Sequence, residues 1–408
     1  MGRGNTEVMN KLTNEGASGN RGSNQSGMRA YNERLVLTLV RRHRALPKSD
    51  IAKITGLSPQ TVSVIMRGLE YEGLLKREEP VRGKVGQPSI PMSLAADGAF
   101  FYGLKIGRRS SELVLVDFEG IVRERQQRRY AYPTPSEITA FTKSATQQLS
   151  SHLSDEEKKR VAGIGVATPF ELWNWTHAIG APEAEMDKWR GFDLAAELAA
   201  ASGCEVFIQN DATAACGAEL VFGTDAPRDF LHIYVGFFVG GGIVLNGSLF
   251  TGRHGSTGAL GPMPVPAPDG GTRQLLEVAS IATLERRIVE AGGDGMVLWS
   301  VPLKWNIDRA LLDTWIEDVG EALAYAVVAS ASVIDLESCL IDGWLPEPVK
   351  NGLVNATKKY LEKINTTGLN LPNIRAGTVG PDARSLGAAS LPLSERFLLD
   401  QNSFLKER

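Results

Sequence analysis

The 408-residue sequence predicts an α/β body preceded by a small α+β winged helix-turn-helix domain. Three observations predict it. Two short helical patterns meet at Thr55-Gly56-Leu57 and run into a Gly-rich hairpin, charge is divided unevenly along the chain, and from Ala99 onward strand and helix patterns alternate.

The head begins with a helical stripe of Leu35, Val36, Leu39 and Val40. Ile51 and Ile54 form the inner side of a second helix, which stops at Gly56, the residue best able to adopt a left-handed turn. A third helix starts at Ser58, whose hydroxyl can cap the first turn, and Pro59 follows with no amide to lose. Val62, Ile65, Met66 and Leu69 then recur at i, i+3, i+4 and i+7, leaving Gln60, Thr61, Ser63 and Arg67 on other faces. Leu74–Glu78 and Ile90–Leu94 read as two strands, with Arg82, Lys84 and Gln87 in a candidate wing between them. Residues 1–28, rich in Gly, Asn and Ser, read as a flexible tail, and residues 29–95 as the winged domain.

Residues 1–92 hold 15 Lys and Arg against 8 Asp and Glu, whereas the whole chain has a net charge of −3. A basic head therefore precedes an acidic body, and a basic head suits phosphates. No apolar run reaches the roughly 18 residues of a membrane span and no signal-peptide core is present, so a cytoplasmic protein is expected. Cys204, Cys216 and Cys339 are far apart and read as core residues, implying neither disulfides nor a thiolate metal site. Trp173, Trp175, His177 and Trp189 form an aromatic group that could stack on a sugar ring, although the tryptophans read first as core, and His254 reads as a loop residue.

In the body, Phe100–Ile106, Glu112–Phe118 and Ile121–Arg128 read as strands, followed by a helix near Pro135–Leu153 and a buried strand at Val161–Thr168. A helix at Asp193–Ser202 and a strand at Glu205–Gln209 complete one α/β unit. The pattern then restarts with a helix at Ala212–Leu220 and strands at Phe230–Val235 and Gly240–Leu245. Further helices are expected around Thr272–Ala291, Arg309–Ile334 and Val349–Ile364. Two such halves would enclose a cleft.

Gln209-Asn210-Asp211-Ala212-Thr213-Ala214-Ala215, Gly240-Gly241-Gly242-Ile243-Val244 and Ser385-Leu386-Gly387-Ala388-Ala389 resemble motifs of the ROK family, named for repressors, open reading frames and kinases. The resemblance covers about residues 30–395 and is to the transcriptional regulators of that family. It implies a two-lobed actin/hexokinase-like body, with lobe 1 over residues 96–211 plus about 385–408 and lobe 2 over 212–384.

The same resemblance implies a kinase ancestry that this chain departs from. Family kinases carry an Asp and two glycines after the first strand, where this chain has Lys105-Ile106-Gly107-Arg108-Arg109. A lysine reverses the charge that a magnesium ion needs, and Arg108 fills space that a glycine leaves open. A second phosphate loop, usually Gly-Thr-Gly, is Gly236-Phe237-Phe238 here. Ala259 and Pro262 stand where the family has a sugar-contacting Glu and His, and the following Cys-rich zinc loop is Pro266–Arg273 with no thiolate. Neither zinc nor Mg-ATP is expected, and no catalytic residue is assigned.

By resemblance Asp211 corresponds to a kinase general base, here expected to bind a sugar or polyol with Asn210, and Glu277 to a further sugar contact. The residues alone also allow Asn210 and Asp211 to act as a helix cap. The function implied is a DNA-binding regulator, a repressor by family expectation, gated by a small sugar or polyol. A homodimer would place two heads on a palindromic operator, with Gln60, Thr61 and Ser63 near base edges, Arg67 and Lys84 on phosphates, and the capping Ser58 and the wing's Arg82 and Gln87 completing the DNA-binding set. The rival reading is an active ATP-dependent sugar kinase with an accessory DNA-binding domain.

Overall fold

A computed structural model describes residues 25–81, 89–176, 180–301 and 303–399. The head runs α1 (Gln25–His43), β1 (Ala45–Pro47), α2 (Lys48–Thr55), α3 (Pro59–Tyr71), β2 (Leu75–Arg77) and β3 (Pro91–Leu94). Its strands pair antiparallel in the order β1-β3-β2, which is a winged helix. Gly56 ends α2 at φ 70°, and its N–H donates to the Ala52 carbonyl at 2.9 Å. Ser58 caps α3 by accepting from the Thr61 amide at 3.1 Å. Val62, Ile65, Met66 and Leu69 are all buried, as their spacing requires.

Three expectations for the head need correction. Ile54 is 52% exposed, so the inner face of the short helix α2 rests on Ile51. Strand β1 was not foreseen, because three residues ending in proline are too few to display an alternation. Of the expected tail, residues 1–24 lie outside the described residues, while residues 25–28 form the first turn of α1.

The body is built from two halves with one topology. The first contains β4 (Phe100–Ile106), β5 (Ser110–Asp117), β6 (Val122–Arg129), α4 (Pro135–Ser150), β7 (Val161–Thr168), α5 (Leu194–Ser202) and β8 (Val206–Asn210). Its sheet has the order β6-β5-β4-β7-β8, an antiparallel meander continued by two parallel strands. The second half contains α6 (Asp211–Phe222), β9 (Phe230–Val235), β10 (Val239–Leu245), β11 (Ser248–Phe250), the hairpin β12 (Pro264–Pro266) and β13 (Thr272–Gln274), α7 (Ile281–Glu290), α8 (Arg309–Ala331), β14 (Ser338–Gly343), α9 (Glu347–Leu361) and β15 (Asn373–Ala376). Its sheet repeats the arrangement as β11-β10-β9-β14-β15. The helix expected over Thr272–Ala291 is instead β13, a 3-10 turn at Leu275–Glu277, and α7 from Ile281.

The last helix, α10 (Ala383–Phe397), returns to the first sheet. It lies so close that a Cβ on Gly165 of β7 would stand 1.7 Å from the Ala388 carbonyl oxygen. Ser385 donates to Glu112 of β5, and Arg125 of β6 holds Asp382 through two bonds of 2.7 and 3.1 Å.

Head and first lobe share a core. Val36, Val40, Ile51 and Met66 belong to the same buried cluster as Phe101, Val116, Phe118 and Leu393. Arg41 of α1 donates to the Phe118 carbonyl and lies over the rings of Phe118 and Phe222 at 5.5 and 5.6 Å. Burial pushes its guanidinium down to about 10. Apolar continuity of this kind makes the head a docked element rather than a tethered one.

Candidate functional site

Two sites emerge, one on the head and one between the lobes. On the head, α3 presents Ser58, Gln60 and Arg67 as exposed residues, with Thr61 and Ser63 half-buried beside them. The Ser58 and Thr61 hydroxyls are 2.8 Å apart, so the cap also fixes the Thr61 rotamer. The Arg67 Nε donates to the Ser63 carbonyl at 3.2 Å, laying the guanidinium along the helix. An open groove of ≈ 650 Å³ runs past this face and is lined by Met28, Arg29, Asn32, Ser58, Gln60 and Thr61. The three residues from α1 were missed in the sequence because the helix begins inside the stretch read as tail. Val64, 54% exposed, adds an apolar contact on the same surface. Arg82, Lys84 and Gln87 lie outside the described residues.

In the body, β8 ends at Asn210, whose Oδ1 accepts from the amides of Ala212 and Thr213 at 3.1 and 3.4 Å. Asn210 is therefore the N-cap of α6, and its side-chain oxygen is engaged. Asp211 opens that helix, with Oδ2 3.4 Å from the Arg384 Nη1 at the start of α10. Arg384 also lies over the Tyr234 ring at 5.3 Å. The pairing joins residues 173 positions apart, which left Arg384 without any signal in the sequence. Glu277 does not join this cluster through any hydrogen bond or ion pair among the described residues. It is exposed on the turn after β13, with Oε2 accepting from the Gln274 amide at 2.9 Å.

Cations crowd the region of Asp211. Lys105, at the end of β4, is 5% exposed and lies 5.7 Å from the Trp344 ring. Burial and the neighbouring Arg384 charge push its ammonium down to about 8. The Arg108 guanidinium lies 4.5 Å from the Phe238 ring and 5.7 Å from that of Phe237. Burial lowers it to about 10. Phe237 in turn meets Trp299 at 5.8 Å. Two aromatic rings and a guanidinium thus occupy the strand-end loops at which phosphates would approach backbone amides. A buried ammonium stands where a carboxylate would organise magnesium, so these residues do not fit a magnesium nucleotide. The β12–β13 hairpin, with prolines at 264 and 266 and Thr272-Arg273-Gln274 opposite, offers no zinc donor set of Cys and His either.

The aromatic group divides. Trp189 is 6% exposed and donates its indole N–H to the Pro133 carbonyl at 3.0 Å, whereas Trp173 is half-buried beneath Arg190 at 5.3 Å. The Trp175 side chain and His177 lie outside the described residues. Cys216 and Cys339 are buried and Cys204 half-buried. His254 sits exposed on a loop. Among the described residues no helix is long and apolar enough to cross a membrane.

Residues 101–395 match the model of the ROK family, which is most of the chain. The chain belongs to the ROK family. A relative from Sinorhizobium fredii, the uncharacterized protein y4fQ, is 25% identical over 90% of this chain and 92% of its own length. The xylose repressor of Bacillus subtilis is 22% identical, covering 60% of this chain and 62% of that protein. The glucokinase of Thermotoga maritima is 28% identical, covering 59% of this chain and 81% of that enzyme. Among solved structures, a ROK family transcriptional regulator described as a homolog of the E. coli MLC protein superposes with a TM-score of 0.62 at 19% identity, covering 91% of this chain and 97% of that one. This ROK protein accordingly has the sugar-kinase-like body of the family, headed by a winged helix, and relatives of both the repressor and the kinase kind.

Proposed function

We propose that this ROK protein is a sequence-specific DNA-binding transcriptional regulator, a repressor, whose body senses a small sugar or polyol without phosphorylating it. The observation that carries the reading is the pairing of an exposed, capped α3 face with the buried cations Lys105 and Arg108 beside Asp211, Arg108 being packed on Phe237 and Phe238. Regulator relatives support the first part, and the chemistry of the cleft supports the second. Gln60, Thr61 and Ser63 would meet base edges in a major groove, held there by the Ser58 cap, while Arg67 and Lys84 would hold phosphates and Arg82 and Gln87 would add further DNA contacts. A two-fold dimer would read a palindromic operator.

Asp211 is the residue assigned to ligand hydroxyls. An ionised carboxylate accepts two or more hydrogen bonds, and the contact with Arg384 leaves part of that capacity open. Asn210 serves chiefly by shaping the turn that presents Asp211, and Glu277 is the more peripheral assignment. Ligand binding between the lobes would act on DNA through the core that α1 shares with Phe101, Phe118 and Leu393. Such gating requires the ligand to prefer one lobe arrangement, typically by about 1 to 3 kcal/mol.

The kinase reading keeps one argument, the retained Asp211 at a strand end, where a general base would stand. A panel of sugars and polyols separates the two. Thermal shift of the full chain should identify a stabilising sugar, and the same sugar with Mg-ATP should yield no phosphorylated product. Product formation that is lost in Asp211→Asn would establish the kinase instead.

A further inference from the structure

Below the last turns of α6, on the face of the second sheet that this helix covers, lies a polar cluster that the regulator reading does not use. Side chains alternate along β9, so Phe230, His232 and Tyr234 point to the same face. His232 is fully buried, and neither ring nitrogen has a hydrogen-bond partner. Asp342 of β14 is likewise fully buried, its Oδ2 accepting from the Gly380 amide at 2.7 Å while Oδ1 has no hydrogen bond. Glu219 of α6 is 1% exposed and accepts from the Thr378 amide and hydroxyl and the Val379 amide at 2.7 to 3.2 Å. One ligand atom from each of these three residues lies within 4.8 Å of the others.

Each buried polar atom left without a partner costs roughly 1 to 3 kcal/mol, and both His232 nitrogens are such atoms, beside an Asp342 Oδ1 that has only the ion pair with Lys350. An imidazole and two carboxylates within reach of one another would ordinarily relieve the debt by hydrogen bonding, yet no hydrogen bond joins them among the described residues. Among the described residues Lys350 is the one cation in salt-bridge contact with the cluster, 3.6 Å from Asp342 Oδ1, 3.0 Å from Glu347 and donating to the Gly377 carbonyl at 2.8 Å.

We propose that Glu219, His232 and Asp342 form a binding site for a divalent first-row transition metal ion, with zinc as the simplest occupant. The mixed nitrogen and oxygen donor set selects this class: imidazole disfavours magnesium and calcium, and the lack of a thiolate donor disfavours cuprous copper. Two ligand atoms that are each about 2.1 Å from an ion stand about 3.4 Å apart at the tetrahedral angle, so a pair at the 4.8 Å limit closes with shifts on the order of 1 Å in all. An ion there would engage one His232 nitrogen and Asp342 Oδ1 together. The site is distinct from the thiolate loop of the family, and the sequence reading, which expected no metal, had no motif to mark it.

The position also has a consequence for the cleft. Glu219 and Asp342 hold the Thr378–Gly380 segment, which leads directly into α10 and Arg384, while Glu219 lies on the helix that Asp211 opens. A bound ion would tie the last turn of α6 to the segment that leads into α10, and so brace the two helices that carry Asp211 and Arg384.

The test uses the full chain, stripped with a chelator and dialysed, then titrated with Zn²⁺ and, as a spectroscopic probe, Co²⁺. The expected result is one ion per chain, a rise in melting temperature, and visible absorption from protein-bound Co²⁺. His232→Leu should bind Zn²⁺ at least ~tenfold more weakly while retaining its fold, since leucine removes two orphaned nitrogens. Asp342→Asn provides a second variant should the leucine fail to fold, and His254→Ala, on an exposed loop, should bind as the wild type does. No uptake by the wild type, or equal uptake by wild type, His232→Leu and Asp342→Asn, would overturn the proposal.

Discussion

The Arg384 guanidinium lies 3.4 Å from the Asp211 carboxylate, joining the first residue of α6 to the first turn of α10 across the centre of the molecule. Both side chains are mostly buried, at 10 and 15% exposure, so neither is a surface ornament. Asp211→Asn should abolish the melting-temperature shift caused by the best sugar or polyol while leaving the far-ultraviolet circular dichroism intact. An undiminished shift would remove Asp211 from the ligand site.

Thr61→Ala should weaken binding to a selected operator by about 1 to 3 kcal/mol and leave affinity for random duplex almost unchanged. Equal losses on both duplexes would make Thr61 a structural residue, a role open to it because its amide and hydroxyl both engage Ser58. Ser58→Ala should additionally destabilise the head by about 1 kcal/mol through loss of the cap, measured by chemical denaturation.

Lys105 gives a pH signature. Its folded-state value of about 8 lies below the ordinary 10.5, so between those values the unfolded chain holds the extra proton. The burial penalty is therefore complete below pH 8 and fades as pH rises toward 10.5. Lys105→Met should raise stability at pH 7 by on the order of 2 kcal/mol, and the gain should shrink by pH 10. A gain constant over this range would show that packing, not charge, sets the effect.

Gly165→Ala should destabilise the protein by roughly 3 kcal/mol, because the new Cβ would stand 1.7 Å from the Ala388 carbonyl oxygen in a helix with nowhere to retreat. Gly191→Ala, at φ 72° with nothing within 4 Å of the added carbon, should cost only about 1 kcal/mol. Denaturation midpoints of the two variants check the contrast.

Arg41→Leu should preserve DNA binding by the head yet reduce the effect of ligand on it. Arg41 is a buried polar member of the seam with the body, reaching the Phe118 carbonyl and the rings of Phe118 and Phe222. Anisotropy titrations with and without sugar would report the change, and an unaltered ligand effect would place the coupling elsewhere.

Much of this architecture was legible in the sequence because local chemistry sets it. Ser58, Pro59 and Gly56 mark helix ends through caps and backbone conformation, and the buried strands β4, β7 and β9 have long apolar runs. Strand β14 was missed although it is central in its sheet, since Cys339-Leu340-Ile341 is a short apolar core flanked by Ser338 and Asp342. The Thr272–Ala291 stretch was misread because the pattern of α7 was extended back over a hairpin strand. In the cleft, Lys105, Arg108 and the two phenylalanines were visible as departures from the family motifs. Arg384 and the cluster of Glu219, His232 and Asp342 were not, because only tertiary folding brings such distant positions together.

The central claim is that a groove-reading head is governed by a sugar-binding body, and affinity for a duplex selected from a random library tests it most directly. Measured with the full chain across salt concentrations, with and without the stabilising sugar, the affinity should fall linearly with salt on logarithmic axes and shift about 5- to 150-fold with sugar. Failure to select any duplex, or binding that ignores both salt and sugar, would contradict the account.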